Sequence, residues 1–126
     1  MTVEVARFTV IGEPIPKARA RVVKGHAYTP ATTRAFEAAI REVWDSVPRP
    51  DMPECVRLDV IFFRSTRRAV DLDNLVKSVK DALNKRAYTD DWRVHDLRAR
   101  KFYTTKGRAR TEVVVYAIDG DRDERV

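Results

Sequence analysis

The stretch AVDLDNLVKSVKDAL, residues 69–83, decides how this chain is read. Taken as a helix over 71–84, at about 100° per residue, it sets Leu72, Leu75, Val76, Val79 and Leu83 on one continuous apolar stripe. Asp73, Lys77, Lys80 and Asn84 share a separate face beside that stripe. Asp73 and Lys77 are therefore i, i+4 neighbours, about 5–6 Å apart at Cβ. Asp71 falls at or just before the helix start. Carboxylates thus gather at one helix end in a chain of formal net charge +6.

Working outward, Val56, Leu58, Val60 and Phe62 alternate with Arg57, Asp59, Ile61 and Phe63, which predicts a strand. Its far end is apolar on both faces, so a central place in the sheet is expected. Beyond the helix, YTDDWRVHD is a polar connection, and residues 96–104 and 111–118 read as two more strands joined through TTKGRAR in a hairpin. At the other end, Val3, Val5, Phe8 and Val10 mark a first strand over 2–11. Residues 12–30, GEPIPKARARVVKGHAYTP, read as a basic loop or a strand with a basic face, holding Lys17, Arg19, Arg21 and Lys24. A helix follows, with Thr29 as its cap and Pro30 at its first position. Phe36, Ala39, Ile40, Val43 and Trp44 form its apolar face, and SVPRPDMP ends it. The order predicts an α+β domain over 1–118: a small mixed sheet of about four strands with two main helices on one face. Residues 119–126, DGDRDERV, are expected to be a disordered polar tail.

The chain has 126 residues and no apolar run long enough to span a bilayer. Its N-terminus lacks the layout of a secretory signal. Cys55 is the only cysteine, which excludes an intramolecular disulfide and points to a reducing, cytoplasmic setting. It stands at a strand edge, where a small buried hydrophobe is the expectation. Residues 64–110 carry 14 Lys and Arg against 6 Asp and Glu, a local net charge of +8, and they contain the aspartates. Such a field suits a polyanion such as nucleic acid. Its candidate contacts are Lys17, Arg19, Arg21, Lys24, Arg67, Arg68 and Lys80.

D-x-D-N at a helix start has a plain structural reading: Asp is a favoured cap, and a pair such as Asp73–Lys77 contributes under about 1 kcal/mol. Asp90 and Asp91 follow the helix, however, and can return towards it. Were Asp71, Asp73 and one of that pair to converge, carboxylates about 4 Å apart would repel by roughly 4 kcal/mol at an effective dielectric of 20. Protonation, lysine or arginine, or a divalent cation must then neutralise them. Oxygen-only ligands suit Mg²⁺ or Mn²⁺ better than Zn²⁺. His26 and His95 have no metal-ligand spacing. A carboxylate-held metal within a basic surface suits phosphodiester hydrolysis: basic residues hold phosphates, and the metal activates water.

RRAVDLDNLVKSVKDALN followed by DDWRV resembles the core signature of the RusA family of Holliday junction resolvases. The shared pattern is D-x-D-N-x-x-K, then D-A-L, then D-D with a valine three residues on, over about 25 contiguous residues. The resemblance implies a homodimeric, Mg²⁺-dependent endonuclease of bacterial or phage origin that resolves four-way DNA junctions by paired symmetric nicks. It further implies Asp71, Asp73 and Asp91 as metal-binding catalytic aspartates and Lys77 as a catalytic lysine. Asp90 stays open as a ligand in place of Asp91. Asp81 is read as structural or supporting, pointing away from Asp73 on the helical wheel. Trp44, Trp92 and Phe102 are candidate dimer anchors, with core packing the commoner role for aromatics. Two other readings stand beside the resolvase: a metal-dependent nuclease on other branched or flapped DNA, and a non-catalytic nucleic-acid-binding domain whose aspartates only cap a helix.

Overall fold

A computed structural model describes residues 1–18, 21–28, 30–48 and 51–120, with only the backbone of residues 21, 23, 27 and 28. The chain runs β1 (Val3–Ile11), β2 (Arg21–Val23), β3 (His26–Tyr28), α1 (Ala31–Ser46), β4 (Val56–Arg64), α2 (Leu72–Leu83), β5 (Val94–Tyr103) and β6 (Arg110–Ala117). A single 3₁₀ turn (Asp91–Arg93) precedes β5. This is the expected α+β arrangement: two helices and a four-stranded mixed sheet of order β1-β6-β4-β5.

β4 is central, as its two apolar faces require: β5 pairs with it in parallel and β6 antiparallel. The expected hairpin between β5 and β6 does not form. β4 lies between them, because α2 carries the chain back to start β5 parallel to β4, and residues 104–109 then cross the end of β4 to reach its other edge. Two strand spacings are only about 10 Å, well within reach of six residues. Thr104 N–H to the Arg64 carbonyl (2.8 Å) and Gly12 N–H to the Ala109 carbonyl (3.0 Å) fix that crossing.

One face of the sheet is buried in register. Val60 lies between Val113 and Ala99, and Phe8 stands across from Val113 on the far strand. These residues form one core with Phe36, Ile40 and Trp44 of α1 and Leu75, Val79 and Leu83 of α2. Trp44 is a core residue here, edge-to-face with Phe8 at 5.8 Å, and Cys55 is buried as anticipated. Trp92 is exposed, and Phe102 is partly exposed and stacked on Phe63. No helix among the described residues is long and apolar enough to cross a membrane.

Two local details differ from the sequence expectation. Pro30 is the cap of α1, with φ −55° and ψ 148°, and the helix starts at Ala31; Thr29 lies outside the described residues. The basic segment holds a hairpin, β2–β3, turning on Lys24 and Gly25. Both have positive φ (50° and 80°), the geometry of a two-residue hairpin loop. Of the tail expected at 119–126, residues 121–126 lie outside the described residues.

Candidate active site

Leu97 and Ala99 point to the helix side of β5, level with Leu58 and Val60 of β4. β5 is an edge strand, however, and α2 covers it only in part, so Leu97 keeps 46% of its surface. The result is a groove of about 520 Å³ between α2 and β5. Its floor is apolar, from Val76, Leu97 and Ala99. Its walls carry Asp73, Lys77, Lys80 and Asp81 from α2, and Asp91 from the 3₁₀ turn. The apolar stripe of α2 faces the core, so the polar residues flanking it are delivered to this groove.

Asp71 precedes the first residue of α2, and its backbone carbonyl accepts from Asn74 and Leu75 N–H (3.2 and 3.3 Å). Its carboxylate makes no capping hydrogen bond and is exposed. Asp71 does not line the groove wall with the others. Asp73 and Lys77 share the groove without forming an ion pair among the described residues, despite their favourable spacing. Capping and surface pairing therefore account for neither carboxylate.

Asp90 and Asp91 divide their tasks. Asp90 caps the 3₁₀ turn, its Oδ1 accepting from Asp91 N–H at 2.7 Å. Asp91 is the one that enters the groove. Asp81 enters it as well, which corrects its reading as a residue turned away from Asp73. It lies 80° round the helix from Asp73, near enough for a broad groove to admit both.

Lys17, expected among the DNA contacts, is instead held by carboxylates. Its ammonium reaches Glu37 at 3.0 Å and Asp81 at 3.1 Å, with 19% of its side chain exposed. Burial opposes the charged lysine, but the hydrogen bonds to Glu37 and Asp81 outweigh it, and the lysine pKa is raised. The segment carrying Lys17 is stitched between the helices: Lys17 N–H donates to Asn74 O, Ser78 Oγ to Ile15 O, and Thr33 Oγ1 to Pro16 O. Glu37 was legible as an anomaly, a carboxylate on the buried stripe of α1 beside Phe36 and Ile40. Lys101 and Tyr88 gave no such signal. Lys101 reaches from β5 to the Val70 carbonyl at 2.8 Å, fixing the residue before Asp71. Tyr88 lies buried with its hydroxyl donating to the Lys80 carbonyl at 2.9 Å. Burial, then the charges of Asp91 and Asp81, push its pKa upward.

The other basic candidates are scattered. Arg67 lies over the Tyr103 ring, Arg68 is exposed, Lys80 is half-buried at the groove and Lys24 is exposed at the β2–β3 turn. Arg21 is in β2, and Arg19 lies outside the described residues.

As arranged, no group of three or more His, Cys, Asp or Glu side chains among the described residues is gathered tightly enough to hold a metal ion. The donors nevertheless suit a hard divalent cation in kind: the groove offers carboxylate oxygens only, and Asp73 and Asp91 reach it without ion-pair partners among the described residues.

Comparison with known proteins gives the same direction. A family model described as endodeoxyribonuclease RusA matches residues 12–116, which include the whole groove. A curated relative, the uncharacterized protein YqaN of Bacillus subtilis (strain 168), is 32% identical over 139 aligned positions, covering 89% of this chain and 96% of its own.

Proposed function

From the premise that the chain belongs to the RusA endodeoxyribonuclease family, we propose that it resolves Holliday junctions by paired symmetric nicks, using Mg²⁺ held by Asp71, Asp73 and Asp91. The observation that carries this reading is the groove itself, where Asp73 and Asp91, without ion-pair partners among the described residues, stand beside Lys77 and Lys80 on an apolar floor, with Asp71 just ahead of α2. Mn²⁺ is the natural substitute, since it accepts the same oxygen donors. When bound, the cation activates water and stabilises the departing oxygen of the phosphodiester.

The chain's own groups do the rest. The Lys77 ammonium takes a non-bridging oxygen of the scissile phosphate and balances its charge. Lys80 holds the neighbouring backbone. Val76, Leu97 and Ala99 limit water at the reacting phosphorus, which strengthens both electrostatic contacts. Asp91 serves in preference to Asp90, because Asp90 is engaged as a cap. Water attacks phosphorus and the 3′ oxygen leaves, giving 5′-phosphate and 3′-hydroxyl ends if the family's polarity is kept. Two cuts related by symmetry call for two copies of the groove, hence a two-fold homodimer on the four-way junction.

The test is a labelled immobile four-way junction incubated with the protein in Mg²⁺ or EDTA, beside Asp73→Asn. Symmetric Mg²⁺-dependent nicking, lost in the variant while junction binding persists, is the expected outcome. Cleavage of flaps but not junctions would move the substrate to other branched DNA. Binding without cleavage in Mg²⁺ and Mn²⁺ across several junction sequences would remove the enzymatic reading.

A further inference from the structure

Lys77 stands one helical turn from each of two carboxylates, Asp73 before it and Asp81 after it, and all three line the groove. That spacing lets either carboxylate take the ammonium, yet Lys77 forms no ion pair among the described residues. Asp81 is taken instead by Lys17, whose ammonium reaches its Oδ2 at 3.1 Å. We propose that Lys17, fixed by Glu37, is a positioning residue: it occupies Asp81 and so keeps the Lys77 ammonium free for the scissile phosphate. The role of Lys77 towards phosphate rests on the nuclease reading above; the competition for Asp81 does not.

Lys17 is gripped at both its side chain and its backbone. Nζ donates to both oxygens of Glu37, at 3.0 and 3.3 Å, and Glu37 is buried on the apolar face of α1. The Lys17 N–H donates to the Asn74 carbonyl of α2 at 2.8 Å. To either side, the Ile15 carbonyl accepts from the Ser78 hydroxyl at 2.9 Å, and Ala18 N–H donates to the Thr33 hydroxyl at 3.3 Å. Asn74, Ser78 and Asp81 follow one another at i, i+4 and i+7, so the segment lies along the flank of α2 that ends at Asp81. A buried carboxylate–ammonium pair is a costly way to join two helices, because apolar residues of the same volume hold such a place as well or better. What Glu37 adds beyond packing is a fixed cation at the edge of the groove.

Without Lys17, Asp81 has one cation in reach along its helix. Lys80 is its sequence neighbour, and adjacent helical residues do not face one another. Lys85 is four residues on, but α2 ends at Leu83 and Lys85 has φ 64°, so the helical i, i+4 relation stops before it. Lys77 is four residues back within the same helix and the same groove. An Asp81 released from Lys17 draws the Lys77 ammonium towards the C-terminal end of α2, away from Asp73. It also leaves the groove one negative charge richer, which repels a phosphate.

Lys17→Met combined with Glu37→Gln removes both members of the buried pair and so leaves no uncompensated charge in the core. A crystal structure of this double variant should place Lys77 Nζ within about 4 Å of an Asp81 oxygen, an ion-pair distance. Its single-turnover cleavage of an immobile four-way junction in Mg²⁺ should fall by about tenfold or more, while junction binding in EDTA changes little. Adding Asp81→Asn should restore the rate to within about threefold of wild type, a rescue that a merely structural role for Lys17 does not allow. A Lys77 that stays apart from Asp81 in the double variant would overturn the positioning role, and so would a lost rate that Asp81→Asn fails to restore. Lys77 drawn to Asp81 with cleavage undiminished would overturn the link to catalysis. A wild-type protein that cleaves no branched DNA would sink the nuclease reading, while the crystal structure would still decide whether Lys17 holds Asp81 off Lys77.

Discussion

The open face of the sheet and the groove treat their carboxylates in opposite ways. On the open face, each acidic residue of the three inner-to-edge strands has an arginine two positions away on its own strand. Arg57 binds Asp59 at 2.7 Å, Arg98 binds Asp96 at 3.3 Å and Arg110 binds Glu112 at 3.0 Å. Alternate residues of a strand share a face, so the pairing is built into the local sequence. In the groove, Asp73 and Lys77 have the helical counterpart of that spacing and remain apart. Carboxylates that serve only solubility are neutralised locally. In the groove, Asp73 and Asp91 keep no such partner among the described residues, which leaves them available to the cation of the proposed reaction, while Asp81 is paired with Lys17.

The largest contrast should appear in cleavage. Asp73→Asn and Asp91→Asn should each reduce the nicking rate by about 10³-fold or more, the loss of roughly 4 kcal/mol of transition-state stabilisation. Asp59→Asn on the open face should change it by less than about twofold. Equal effects at the two places, measured under single-turnover conditions, would erase the distinction.

Next in size is the cluster of Lys17, Glu37 and Asp81, where the two kinds of carboxylate meet. Lys17→Met leaves the buried Glu37 uncompensated and should lower unfolding free energy by about 3 kcal/mol in denaturant titrations. The sign with pH follows from the raised lysine pKa. The Lys17 contribution is complete below the ordinary lysine value of about 10.4 and is lost as pH rises through the folded-state value. Wild-type and variant stabilities should therefore converge only in strongly alkaline buffer.

Asp90→Ala should cost about 1 kcal/mol, in the range of a lost cap, and slow nicking by less than about tenfold. An Asp90 effect on cleavage as large as that of Asp91→Asn would reassign the ligand. The smallest effect is expected for Arg98→Ala, within about 0.5 kcal/mol in thermal unfolding, because its pair is solvent-exposed.

Periodicity alone determined the two helices, the four sheet strands to within about two residues, the central place of β4 and the burial of Cys55. It also placed Asp73, Lys77 and Lys80 on one side of α2. Each of these follows from how a backbone of fixed geometry displays its neighbours, so nearby residues suffice. The order of strands, the crossing of residues 104–109 over β4, the choice between Asp90 and Asp91 in lining the groove, the entry of Asp81 into it and the capture of Lys17 by Glu37 were decided only in the tertiary structure. They depend on where α2 lies against β5 and where residues 14–18 run between the helices. Those positions are set by packing among residues far apart in the chain, which no local pattern encodes.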